Sequence, residues 1–398
     1  FGIVGTNVAN FTLRDSTLSG THGTNLVLNE SSVSFTNLSG TALFEGNNIA
    51  GGRADNMRIV NSSGSLTLTI QDSASDQAVF GNNNLNGNDS VFLQTSGSAS
   101  LGLTIDGVAF NGARGDLLQI NAFGNSSQDL VITDNQFHNT HTNIVPAGGG
   151  VVLTGGGAGT NIDVDYLIQD NSFQGADGHA LSAAYKPVAG TIQGRIEGNV
   201  IGVDDGAGGT QGSVTSAGIF INLEKTAGAG SATYAVALVD NEIRDTGLAG
   251  IYLGVAKGTA TDGATLEVTA SGNVVEEMSE FNFAALYAVV GGAGSGDYSK
   301  LGLDLSDNVL DNSGATSGSS AVVLDQVSTT SHFYFPGYSG SPSGELNGGT
   351  ASANLHTFLT GEGNVMTNGG YPSYPGGVDA SFVSGLTGDP LILTPWMP

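Results

Sequence analysis

The chain has 398 residues, with 10 lysines and arginines against 36 aspartates and glutamates, and a net charge of −26 at neutral pH. That field repels nucleic acid, anionic membranes and polyuronate chains, while the lack of cysteine excludes a disulfide framework and thiolate metal sites. Glycine (63) and proline (9) make about 18 per cent, below the level of low-complexity disorder, and no apolar run is long enough for a membrane-spanning helix.

The first element begins at once: Phe1-Gly2-Ile3-Val4 reads as a strand in mid-coil. With no initiator Met and no signal segment, this predicts a piece of a longer protein. Upstream sequence or another subunit then covers the first coil, whose strand edges are otherwise unpaired. From there one pattern returns ten times, anchored on Asp15, Gly46, Asp72, Gly107, Asp134, Asp170, Gly198, Asp240, Gly272 and Asp307. Two places earlier stands an apolar residue, such as Leu13, Phe44, Ile105, Ile132, Ile168 or Leu305. Three places later stands another, such as Leu18, Ile49, Phe110, Phe137, Phe173 or Leu310, with Ser75 the exception. The anchors lie 26 to 42 residues apart, with a mean near 32. Seven are followed directly by Asn: Asn47, Asn135, Asn171, Asn199, Asn241, Asn273 and Asn308.

Before each anchor the apolar residues alternate, as in Leu66, Leu68, Ile70 and Leu301, Leu303, Leu305. Period two means a strand with one dry face. A second apolar run comes about ten residues earlier, as in Val91-Phe92-Leu93, Ile219-Phe220-Ile221 and Ile251-Tyr252-Leu253. Each repeat thus predicts two or three short strands and no helix. Such a repeat cannot bury its apolar face alone and must stack on copies of itself. Propeller blades need four antiparallel strands in about 40–45 residues, more than these repeats supply. The expectation is therefore an all-β, right-handed parallel β-helix of about ten or eleven coils, on the order of 50 Å long, with an irregular C-terminal cap. The Asn column suits a left-handed turn between strands, or a ladder of amides bonded from coil to coil. Both readings give the same fold.

These columns resemble the pectin-lyase-like right-handed β-helix superfamily, with its inward Asn ladder. Segments such as Gly5-Thr6-Asn7-Val8-Ala9-Asn10-Phe11-Thr12-Leu13, Asp55–Gly64 and Phe333-Tyr334-Phe335-Pro336-Gly337-Tyr338 are similar to the text of large bacterial surface proteins built from β-strand repeats. The resemblance covers most of the chain and implies the fold more strongly than any activity.

Seven of the nine prolines lie between Pro336 and Pro398, where alternation fades and Tyr371, Tyr374 and Trp396 collect. This divides the chain into a β-helix over residues 1–325 and, over 326–398, the last coil or coils plus a Pro/Tyr-rich cap. Gly361–Met366 reads as one more, degenerate anchor, and the alternative to a cap is a linker to a further domain. Loop length varies mainly between the two main strands of a coil, as at Gly155–Asn161, Lys225–Thr233, Gly254–Gly263 and Gly291–Ser299, which predicts insertions along one edge.

Column alignment brings Asp129, Asp163 and Asp165 onto one outward strand face, with Arg195 on the next coil. Two carboxylates about 5–10 Å apart are what glycoside hydrolysis uses, and Asp129 with Asp165 could equally hold calcium. A solvated face needs polar residues in any case, so no catalytic, cofactor or metal residue is assigned. Gly156–Asn161 and Gly291–Asp297 look like calcium-binding nonapeptides but do not occur in tandem. His138 with His141 reads as a solvated pair, with metal binding the alternative, Asp204-Asp205 reads as a surface turn in a glycine loop, and Asp177-Gly178-His179 lacks the companion segments of polygalacturonase-like hydrolases. Outward Thr67, Thr69 and Thr104 do not make the long flat rows of an ice-binding face.

The expectation that follows is a non-enzymatic extracellular or cell-surface bacterial β-helix: a structural, filament, surface-layer or adhesin segment. Its expected partners are copies or neighbouring segments of the same large protein, or surface glycans. The alternative is a carbohydrate-active enzyme or sugar-binding module of the pectin-lyase-like class.

Overall fold

A computed structural model describes residues 1–204, 206, 211–258, 263–278, 284–292, 296–313, 321–328, 330–338 and 353–367. Its backbone winds through three parallel sheets of eleven strands each, and every strand pairs with its counterpart one coil away. The first coil gives the order: Ile3–Thr6 in the first sheet, Thr12–Arg14 in the second, Thr17–Leu18 in the third. The last coil repeats it with Val322–Gln326, His332–Tyr334 and Val365–Thr367. This is a right-handed parallel β-helix. Ten inter-strand steps of about 4.8 Å make a rod about 48 Å long.

The period-two pattern sets the register. Ile105, Ile132 and Ile168 stand in one inward column, and all three are fully buried. On the third sheet Phe80, Phe110, Phe137 and Phe173 stand in register, with ring centroids 4.6–5.2 Å apart. Each such side chain contributes about 1.5–3 kcal/mol by leaving water. The core is therefore a continuous apolar column, and no coil owns a separate one.

The tight turn joins the second sheet to the third through two residues, an anchor and its follower. Nine of the ten anchors have φ between 44° and 74°. This corrects the turn assignment: the left-handed residue is the Asp or Gly anchor, and the Asn after it is free to point inward. Glycine meets no Cβ penalty there, and Asp tolerates the conformation through local hydrogen bonding. Asp72 is the exception. In its coil seven residues, Asp72–Ala78, separate Gln71 from Val79, and Asp72 Oδ1 accepts the Ala78 N–H at 2.6 Å.

Two further expectations change. Long connections flank both edges of the first sheet: besides those leading to the second sheet, the chain runs irregularly from Leu18 to Val33 and from His138 to Val151. The last coil also contains a helix, Ala353–Gly361, before its third-sheet strand. Leu355 and Leu359, four apart on one helix face, are buried in the core, and Phe358 packs on Tyr338 at 5.2 Å. The degenerate anchor is a true one: Gly363 has φ 83° and Asn364 follows it. The expected cap residues Tyr371, Tyr374 and Trp396 lie outside the described residues.

Candidate functional site

The acidic cluster sits on the outer face of the second sheet, where alternation turns every other side chain to water. Asp129 and Asp165 are register partners on adjacent strands. Asp163 lies beside Ser127 and Thr191, and the Thr191 N–H donates to its Oδ1 at 3.2 Å. Partial burial raises both Asp129 and Asp165, and Asp165 is pushed further by the charges of Asp129 and Asp163. Arg195 does not join them. It stands in register with Leu167 and Ala237, and its Nε donates to Glu197 at 2.6 Å. The result is a carboxylate pair on an open face. Among the described residues no three His, Cys, Asp or Glu side chains converge as metal ligands would.

Of the remaining candidates, His138, Asp177 and Asp297 bond across coils, and His141 bonds within its own loop. His138 Nε2 lies 3.0 Å from Ser172 Oγ, while His141 Nδ1 accepts the Asn143 N–H at 3.1 Å. Burial lowers both imidazoles. Asp177 Oδ2 accepts the Ala147 N–H at 2.8 Å. Asp297, from the second glycine-rich motif, is fully buried and accepts the N–H groups of Lys257, Gly292 and Ser299. Asp205, and residues 293–295 of that motif, lie outside the described residues.

The outer face of the first sheet differs. Phe220, Tyr252 and Tyr287 are register partners on three successive coils, with centroids 4.7 and 5.1 Å apart. His179, from the turn before the preceding strand, stacks on Phe220 at 4.2 Å, while the register partner of Phe220 there is Ser182. Tyr287 Oη donates to Asp325 Oδ2 at 3.0 Å. Burial raises the Tyr287 phenol, and the Asp325 charge adds to the shift. In such a column the rings cover each other's faces and turn mainly their edges to solvent.

Inside the tight-turn corner the Asn side chains form a ladder. Asn199 Oδ1 accepts from both the backbone N–H and the Nδ2 of Asn171, at 3.1 and 3.0 Å. Asn199 Nδ2 donates to the Ile168 carbonyl at 2.9 Å and, in turn, to Asn241 Oδ1 at 3.0 Å. The same bonds link Asn135, Asn171, Asn199, Asn241, Asn273, Asn308 and Asn364 without a gap. Asn47 stands apart, because Ala78 and Val108 occupy the position in the next two coils. Its amide serves only the Ser16 N–H and the Leu13 carbonyl, at 3.1 and 2.9 Å.

Sequence reasoning missed a second row, at the corner leading into the first sheet. Asp55, Asp89 and Asp116 each stand two residues before a first-sheet strand, those starting at Met57, Val91 and Leu118. Asp55 Oδ1 accepts the Asp89 N–H at 3.1 Å, Asp89 Oδ1 accepts the Asp116 N–H at 2.9 Å, and Asp116 Oδ1 accepts the Gly149 N–H at 2.6 Å. One coil beyond Gly149, His179 Nδ1 accepts the Ala217 N–H at 3.1 Å. The signal lay in the spacing from Asp to the strand, hidden because the preceding loops vary in length.

The fold class is thus a parallel β-helix whose corners are stitched by side-chain acceptors. No family model, curated protein or solved structure matches the chain.

Proposed function

We propose that this chain is a rigid spacer or adhesive segment of a bacterial surface protein, working outside the cell by its length and stiffness. The observation that supports this most is the unbroken stack: eleven coils, three sheets and one shared core. An uninterrupted parallel ladder resists bending and sets reach by the number of coils. The charge of −26 keeps such a rod soluble and discourages sideways aggregation. Its partners on this reading are copies or neighbouring segments of the parent protein, or surface glycans.

The test is to change the length. Deleting residues 135–170 removes one circuit from anchor follower to anchor and rejoins Asp134 to Asn171 in register. The shortened chain folds, its rod is about 4.8 Å shorter by small-angle scattering, and cell attachment or surface display persists. Loss of folding on this in-register deletion contradicts the spacer reading.

One observation favours a second reading, a sugar-binding module of the pectin-lyase-like kind. The Phe220–Tyr252–Tyr287 column lies beside Asn222 and Asp325 on the sheet that long connections flank on both sides. Binding of a neutral oligosaccharide that Tyr252→Ala abolishes, without change in melting temperature, would favour it. Turnover of a polysaccharide that Asp129→Asn or Asp165→Asn removes would make the chain an enzyme and displace both readings.

A further inference from the structure

We propose that the Asp55–Asp89–Asp116 row takes up a proton when the chain folds, making coils three to five of the rod tighter in mildly acidic solution than at neutral pH. The geometry carries the argument. Asp55 and Asp89 are 0 % and 2 % exposed, and adjacent members lie one coil apart, about 4.8 Å. Each Oδ1 is taken by a backbone N–H of the following coil. A carboxylate is an acceptor only, so stacking three of them repeats the charge with every coil.

The cations around the row are few, and of Arg53, Arg58 and Arg114 only Arg58 turns to it. Arg58 Nη1 reaches Asp55 Oδ2 at 3.2 Å, and the Arg58 guanidinium lies 4.0 Å over the Phe92 ring. Arg114 sends Nη1 to the Gly87 carbonyl at 3.3 Å, and Arg53 sends Nη1 to Asn84 Oδ1 at 2.6 Å. Asn88 Nδ2 donates to Asp89 Oδ2 at 2.8 Å. One guanidinium, paired with Asp55, serves a row in which Asp55 and Asp89 are buried and Asp116 is half-buried. Separating a second and third charge from water without a partner is more costly than binding a proton.

Burial accordingly raises all three acids. Asp89, in the middle, is also pushed up by the charges of Asp116 and Asp55, and Asp116 reaches about 6. An acid raised in this way contributes stability that is fully present below its ordinary value of 3.8 and is lost as pH rises through the folded value. His179, further along the same corner, acts in the opposite sense. Burial lowers it to about 4, so its contribution is lost as pH falls from its ordinary value of 6.5. The test must therefore compare variants at each pH.

Thermal unfolding of the full chain and of Asp89→Asn is measured from pH 7.5 to 5.0. The amide keeps the acceptor for the Asp116 N–H and removes the central charge. Asp89→Asn is expected to melt about 2–4 °C above the unsubstituted chain at pH 7.5, with the gap narrowing as the pH falls to 5.0. Asp116→Asn should show the same trend with a smaller gap. Asp304→Asn, on the outer face of the second sheet, removes one charge away from the row and is the charge-matched control. A gap independent of pH for both row variants overturns the proposal. So does an Asp89→Asn chain that melts lower or fails to fold at pH 7.5, since the charge itself would then be holding the corner.

Discussion

Two corners of the same coil solve one problem with different chemistry. At each, a backbone N–H must find an acceptor on a neighbouring coil, deep enough that water cannot serve. The tight-turn corner uses Asn, and the corner before the first sheet uses Asp. Asn carries a donor and an acceptor, so each amide satisfies its neighbour and the motif extends through seven consecutive coils without accumulating charge. Asp carries acceptors only. Its row runs for three coils, stops at Gly149, and has a single guanidinium beside it. Length of repetition follows from whether the repeated group can be its own partner.

Exchanging the two chemistries gives the largest effect. Asn199→Asp places a carboxylate in a fully buried site, where the lost Nδ2 leaves the Ile168 carbonyl without its donor. A destabilisation of about 3–5 kcal/mol is expected at pH 7, measured by denaturant unfolding and shrinking as pH falls and the new acid is protonated. A loss that stays constant to pH 5 would break the comparison. Removing an amide without adding charge comes next. Asn199→Ala should cost about 2–4 kcal/mol, because it orphans the Asn171 N–H and the Ile168 carbonyl. Asn47→Ala, outside the continuous ladder, should cost about 1–2 kcal/mol. Equal costs at the two positions would show that continuity of the ladder adds nothing.

A smaller effect concerns His179, the neutral acceptor at the acid corner. Its ring is held uncharged by burial, accepts the Ala217 N–H and stacks on Phe220. His179→Gln is expected to be less stable than the unsubstituted chain at pH 7.5. The difference should narrow as pH falls from 6.5 towards about 4, where the native imidazole loses its advantage. Paired melting curves across that range check it.

The fold was legible because its signal is redundant. Alternation at Leu101, Leu103, Ile105 fixes one strand, and the anchor Gly107 with Phe110 three places later fixes the turn and the next strand. Within the tight turn, the sequence could not separate the roles of anchor and follower, since Asp, Gly and Asn all suit a left-handed backbone; the positive φ falls on Asp134, not on Asn135. The acid row was not legible. Asp55, Asp89 and Asp116 are aligned by the first sheet, and variable loops disconnect that sheet from the anchors in sequence. The helix Ala353–Gly361 was also hidden: one turn-to-turn pair, Leu355 and Leu359, is too short a pattern to stand out. Asp129 and Asp165 did fall together as their columns required, but spacing alone could not show that Arg195 turns to Glu197.

Site-resolved amide hydrogen exchange at pH 7.5 and 6.0, corrected for intrinsic rates, reads both corners in one experiment. The backbone N–H groups of Asn171, Asn199 and Asn241 should be strongly protected at both values. Those of Asp89, Asp116 and Gly149 should gain protection on acidification. Equal responses at the two corners, or ladder amides that exchange as freely as those of exposed loops, would contradict the claim that side-chain acceptors stitch the coils together in two chemically distinct ways.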